Sequence, residues 1–257
     1  QISLYFSIFV IGYIFFKFAE TGNKKNVLYS LTFFALGILV LTPQILPSIE
    51  LYFNASRSLI FQKIEAVGLY HLPTILSPDF YGNPVTRNNP LGHYIEWNAY
   101  FGVIPFLLAI YSLFSKSKKV LFFALTCITS LLLCLDTPIV DLLVKLKIPV
   151  LSTSSLSRIL VIFSFSGAVL SAFGFDYLKK DLENRKFRKI IFWLFTVLGL
   201  FGTLWLFLLA NKTGSDIYPV AHRNLILPTV LGTGLIIGVV ISTIHKRLII
   251  IFILIAL

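Results

Sequence analysis

The chain has 257 residues, 57% of them hydrophobic and only 13% charged, with a mean hydropathy of +0.87. A water-soluble globule keeps a polar exterior, so this composition excludes a soluble domain and points to an all-α, polytopic membrane protein with the lipid bilayer as its partner. The net charge of +11 sits in short clusters between apolar runs, the pattern of topology signals, which argues against a nucleic-acid partner.

Apolar segments run near 2–19, 27–43, 97–114, 119–135, 158–175, 190–210 and 224–244, and an eighth begins at 248. A crossing takes about 20 apolar residues, so a transmembrane helical bundle of about seven or eight crossings is expected. It forms a single domain over 1–257, without internal repeats. Gln1 as the first residue, the absence of Met and the apolar run LIIIFILIAL at the end lead us to expect a fragment of a longer protein.

The connections alternate in charge. Lys17, Lys24 and Lys25, then Lys116, Lys118 and Lys119, then Lys179, Lys180, Arg185, Lys186, Arg188 and Lys189, and finally Lys246 and Arg247 occupy the short connections. Together they are fourteen of the 22 basic residues. By the positive-inside rule these connections are cytoplasmic. Gln1 and the long connections 44–96, 136–157 and 211–223 then lie outside a plasma membrane that the chain crosses several times. The outer side also holds seven of the 11 acids: Glu50, Glu65, Asp79, Glu96, Asp136, Asp141 and Asp216.

The outer connections hold the candidate functional residues. Pro47 and Ser48 are expected to start a helix with Glu50 in its first turn. Glu50, Asn54 and Arg57 recur at i, i+4 and i+7, a polar stripe among apolar neighbours that suits a helix lying at the interface. Arg57 either pairs with Glu50 or reaches a phosphate, for which its forked donors are suited.

The passage Leu76–Pro105 is the longest polar, turn-rich stretch, with Ser77-Pro78-Asp79, Gly82-Asn83-Pro84 and Asn88-Asn89-Pro90. Asp79 can cap a helix, accept a hydroxyl or act as a base. Tyr81, His93, Tyr94 and Trp97 suit an interfacial aromatic belt. With Asn83 they also suit a sugar-binding surface, where rings cover the apolar sugar faces and carboxylates accept hydroxyls. Glu96 stands at the outer edge of a crossing, either as a solvated boundary carboxylate or as a functional group.

In 136–157 the run IVDLLVKLK reads as a second interfacial helix. The hydroxyl-rich run 152–157 leads into Arg158, as an N-capped helix or an anion cradle. Cys127 and Cys134 lie inside one apolar run, and no metal, disulfide, nucleotide-loop or hydrolase signature is present. No cofactor is called for.

The phrases PQILPSIELYFNASR, LPTILSPDFYGNP, YIEWNAYFGVIPFLLAIYSLF and IPVLSTSSLSRILVIFSFSGAVLSAFGFDYL resemble the bacterial YfhO-type membrane protein family, which is similar to the GT-C class of polyprenyl-phosphate-sugar glycosyltransferases. The resemblance covers roughly 27–178, and PDFYGNP and IEWNAYFGV are its most specific pieces. It implies transfer of a sugar from a polyprenyl-phosphate carrier to an extracytoplasmic glycan or lipid acceptor. The catalytic acid of that class lies in the first outward loop, which the topology count places upstream of Gln1.

Such a transfer requires a base for the acceptor hydroxyl and cationic groups for the departing phosphate, which leaves a metal optional. Asp79 and Glu96 are the candidate bases. Arg57 and Arg158 are expected at the phosphate, and Glu50, Tyr81, Asn83, His93 and Trp97 around the sugar or acceptor. A lipid-linked-sugar transporter is the alternative, and it predicts charges deep in the crossings and broken helices. A non-catalytic membrane assembly protein predicts outer loops that tolerate substitution.

Overall fold

The computed structural model describes residues 1–55, 66–85, 93–148, 152–211 and 217–244, and every regular element among them is helical. In chain order these are α1 (Ile2–Thr21), α2 (Lys24–Asn54), α3 (Val103–Ser112), α4 (Lys118–Cys134), α5 (Pro138–Lys145), α6 (Leu160–Glu183), α7 (Phe187–Ala210) and α8 (Ile217–Ile244). Two 3-10 helices, Leu69–Ile75 and Leu156–Ile159, precede α3 and α6. Among the described residues, five helices are long and apolar enough to cross a membrane: α1, α2, α6 with its preceding 3-10 turn, α7 and α8. The chain is a membrane protein. Arg57, Arg87 and the apolar segment from 248 lie outside the described residues.

The chain divides into two compact units. The first comprises 1–66 and 131–162. Gly22, with φ of 67°, closes α1 in the left-handed conformation, and the Asn23 side chain caps the start of α2 by accepting from Lys25 and Asn26. α2 buries none of its residues, and Phe33, Val40 and Phe53 are each more than 70% exposed. That surface suits hydrocarbon and not water.

The helix expected to begin at Pro47–Ser48 does not exist as a separate element. α2 runs unbroken through Pro43 and Pro47 to Asn54. Each proline removes one backbone donor. The Thr42 and Ser48 hydroxyls bond the Ile38 and Gln44 carbonyls, at 3.2 and 2.7 Å, beside the acceptors left free. Spanning helices tolerate proline in this way. Glu50 therefore sits in the last turns of a 31-residue helix, and not in a first turn. At 1.5 Å per residue α2 rises about 46 Å, more than a hydrocarbon core of about 30 Å, so its end clears the core. The short helix expected within 136–157 is present as α5, with Pro138 at its first position and Asp141 and Lys145 at the favourable ends of its dipole.

The second unit comprises 67–130 and 163–257. Its core brings Ile104, Leu107, Leu108 and Tyr111 of α3 against Leu178 and Leu182 of α6, Trp193 and Val197 of α7, and Leu235 and Val239 of α8. Trp193 is fully buried and donates its indole N–H to the Leu107 carbonyl at 2.9 Å. Gly174 lets α6 approach α3 so closely that a Cβ there would overlap the Leu108 carbonyl.

The segment expected over 97–114 is helical only from Val103. Residues 98–102 are non-helical, and Gly102, with φ of 107°, turns the chain into α3. α3 rises about 15 Å, roughly half a hydrocarbon core. The irregular backbone before it packs partly inside the protein: Ala99 is buried, its carbonyl accepts from Ser164, and the Phe101 ring meets Phe163 and Phe106.

Candidate functional site

The site lies in the second unit, where residues 67–85, joined by 93–97, fold over the first turns of α8. The 3-10 helix Leu69–Ile75 buries His71, Thr74 and Ile75. The next turn closes with Phe80 N–H donating to the Ser77 carbonyl and Gly82 N–H to the Asp79 carbonyl, at 2.9 and 2.8 Å. Gly82 has φ of 94°, which a side chain would strain. That turn drives Phe80, fully buried, and Tyr81 against Leu208 of α7 and Ala221 and Leu225 of α8. Polar ties fix it as well. Ser77 Oγ donates to the Asn224 carbonyl at 2.9 Å, and the Asn224 amide donates to the Asp79 carbonyl.

Around this anchor the aromatic candidates form a ring cluster. His71 stacks on Tyr81 with centroids 5.4 Å apart and meets Trp97 edge to face at 4.8 Å. His93 contacts Trp97 at 5.9 Å, and Tyr70 contacts Tyr81 at 6.2 Å. The Tyr81 hydroxyl donates to the Tyr70 carbonyl. Burial pushes Tyr81 up to about 12 and lowers the His71 pKa, so that imidazole is neutral at pH 7. Among the described residues, His71 Nδ1 and Trp97 Nε1 are buried with no hydrogen-bond partner. Paired orphans of this kind call for a guest, either water or a ligand hydroxyl.

Asp79 joins the two stretches. It accepts from Tyr94 at 2.5 Å on one carboxylate oxygen and from the Asn83 amide at 3.3 Å on the other. The Tyr94 pKa rises to about 12, chiefly because its hydroxyl donates to Asp79. An ionised carboxylate has about four acceptor sites, so these two bonds leave room for a ligand hydroxyl. Glu96 is half-buried in the turn Tyr94–Trp97, which Trp97 N–H closes by donating to the His93 carbonyl at 2.9 Å. His93 is exposed. Beside the cluster is a cavity of 210 Å³ walled by Tyr70 and Tyr81 of the loop, Phe207 of α7, Asn211 just beyond it, and Tyr218 of α8.

Asp79, Tyr81, Asn83, His93, Glu96 and Trp97 therefore all belong to this one unit. Glu50 and Arg158 belong to the first unit, and Arg57 lies outside the described residues. Glu50 is exposed on α2. Arg158 is exposed on the short 3-10 turn and donates to Gln1 Oε1 at 3.3 Å. The neighbouring hydroxyls bond within the protein: Ser152 to the Ile148 carbonyl, Ser155 with Ser157, and Thr153 with Tyr52.

The sequence reading passed over Tyr70, His71, Asn211, Tyr218 and Asn224. Asn224 was visible as a polar residue opening an apolar segment. His71 sits in an apolar-looking run whose 3-10 geometry has no sequence period to announce it. Among the described residues no three His, Cys, Asp or Glu side chains gather as a metal site, and Cys127 and Cys134 are free thiols. No protein-family model, curated protein or solved structure matches this chain.

Proposed function

We propose that this is a multi-pass plasma-membrane protein of the YfhO type, with a GT-C-like fold, that transfers a sugar from a polyprenyl-phosphate carrier to an extracytoplasmic glycan or lipid. The observation that carries this reading is the union of the two most specific pieces of the resemblance. His71 touches both Tyr81 of PDFYGNP and Trp97 of IEWNAYFGV, and Tyr94, one residue before the second piece, donates to Asp79 of the first. In this reading the sugar lies against Tyr70, Tyr81 and Tyr218, the ring nitrogens of His71 and Trp97 bond its hydroxyls, and Asp79 or Glu96 receives the acceptor proton. In this reading α3 and α4 join the five long helices as crossings.

The test is sugar transfer by the full-length protein in membrane vesicles, with labelled polyprenyl-phosphate hexoses as donors. Asp79→Asn or Glu96→Gln should each reduce transfer at least tenfold with unchanged protein levels. Full transfer by both variants would overturn the reading. A transporter is the second reading, favoured by the non-helical stretch 98–102 leading into the half-length α3. It predicts that the labelled lipid changes leaflet in liposomes without acceptor.

A further inference from the structure

At the end of the second unit that carries the lysine-rich connections there is a second cavity, of 260 Å³. Tyr111 closes one side, Lys116 enters from the α3–α4 connection, Lys180 and Asp181 come from the last turns of α6, and Lys186 and Lys189 from the start of α7. Four ammonium groups thus face one carboxylate. That carboxylate is already engaged, since Asp181 is buried, accepts from the Tyr111 hydroxyl at 2.9 Å and has Lys189 at 3.9 Å. Among the described residues, Lys116, Lys180 and Lys186 make no ion pair.

The backbone sets this arrangement. α6 ends in a Schellman turn, with Lys186 N–H donating to the Asp181 carbonyl at 2.8 Å and Arg185 N–H to the Leu182 carbonyl at 3.2 Å. Arg185 occupies the left-handed position at φ of 54°, where glycine is usual. The turn folds Lys186 back to the start of α7, whose first N–H groups have no side-chain cap. Unpaired cations around a hollow, next to free helix N–H groups, are the surroundings an anion completes.

We propose that this cavity binds a phosphate group, supplied by the headgroup of an anionic phospholipid of the cytoplasmic leaflet or by a free phosphate. Topology signals alone call for basic residues in these connections but not for four of them around one hollow. Basic pockets at the cytoplasmic ends of membrane helices suit lipid phosphates. The site is independent of the outward loop and of any transfer reaction.

The test is binding by the full-length protein in phosphatidylcholine nanodiscs, titrated with phosphatidylglycerol in one arm and with inorganic phosphate in the other. Both the affinity and the thermal shift are read. Wild type should bind at least one of the two, and the arm that binds identifies the source. Lys180→Gln with Lys186→Gln should weaken binding about tenfold or more. The pair Arg185→Gln with Arg188→Gln removes the same charge from the same connection but does not line the cavity, and it should bind like wild type. If the lysine pair does not fold, Lys116→Gln on the other connection is the variant read, with at least a threefold loss expected. Binding of neither ligand by wild type, or equal losses in the two charge-matched pairs, would overturn the proposal.

Discussion

The bond between Tyr94 and Asp79 is the joint on which the loop site depends, and removing one hydroxyl tests it. In Tyr94→Phe the ring and its packing remain, and only the donor to the carboxylate is lost. A hydrogen bond to a charged group contributes about 1.5–3 kcal/mol. Tyr94 is half-buried and Asp79 keeps the Asn83 amide, so the lower end of that range applies, about 1.5 kcal/mol. The loss should fall on local opening: residues 93–102 should exchange their amides roughly tenfold faster, while α7 and α8 keep wild-type rates. Hydrogen exchange with mass spectrometry on the full-length protein in nanodiscs reads both regions at once. A second measurement uses the ionisation. Asp79→Asn removes the main cause of the raised Tyr94 pKa, so that phenol should titrate from about 12 back towards 10. The signal is the ultraviolet difference between variants with and without Tyr94. Unchanged exchange over 93–102 in Tyr94→Phe would refute the claim that this bond joins the two stretches.

Acidification should loosen the same loop. Burial lowers the folded pKa of His71, so the unfolded loop takes up the proton first. The stability this neutral ring contributes is complete above about pH 6.5 and declines as pH falls below it. His71→Gln should flatten that decline in exchange or limited-proteolysis profiles. In the core, Trp193→Ala should cost about 3–5 kcal/mol through the cavity it leaves, read as a lower melting temperature in detergent. Trp193→Phe, which loses the bond to Leu107 with less volume, should cost about half as much. Gly174→Ala forces a methyl into the Leu108 carbonyl and should cut the yield of folded protein, whereas Gly199→Ala, with open space around it, should be neutral.

Helix positions were legible because hydropathy acts over a whole span. The apolar runs near 2–19, 190–210 and 224–244 became α1, α7 and α8, with the ends shifted by a few residues. Pro47 misled, since proline starts helices in water but rides inside them in lipid, where no solvent competes for the freed carbonyls. Residues 97–102 misled for a different reason. Their apolarity is that of a crossing, yet Ala99 and Phe101 pack against Ser164 and Phe163 of α6 in a non-helical stretch that Gly102 turns into α3. Asp79, Tyr81 and Trp97 were legible as residue types suited to a sugar. Their meeting was not, because Asn224 lies 145 residues from Asp79 and His71 reaches Trp97 only through the 3-10 turn that precedes it.

The half-length α3 explains why the loop before it can hold a defined site. A loop joining two complete crossings would hang from the interface by its ends. Here the chain leaves the Tyr94–Trp97 turn, descends through 98–102 and docks a 10-residue helix, seven of whose residues are buried, among α6, α7 and α8. The other end of the loop is plugged by Phe80 and tied to Asn224. Both ends thus report to the same helices, and the ring cluster between them inherits the rigidity of the Trp193 core. Damage at Leu107 or Trp193 should therefore reach the ring cluster through packing alone.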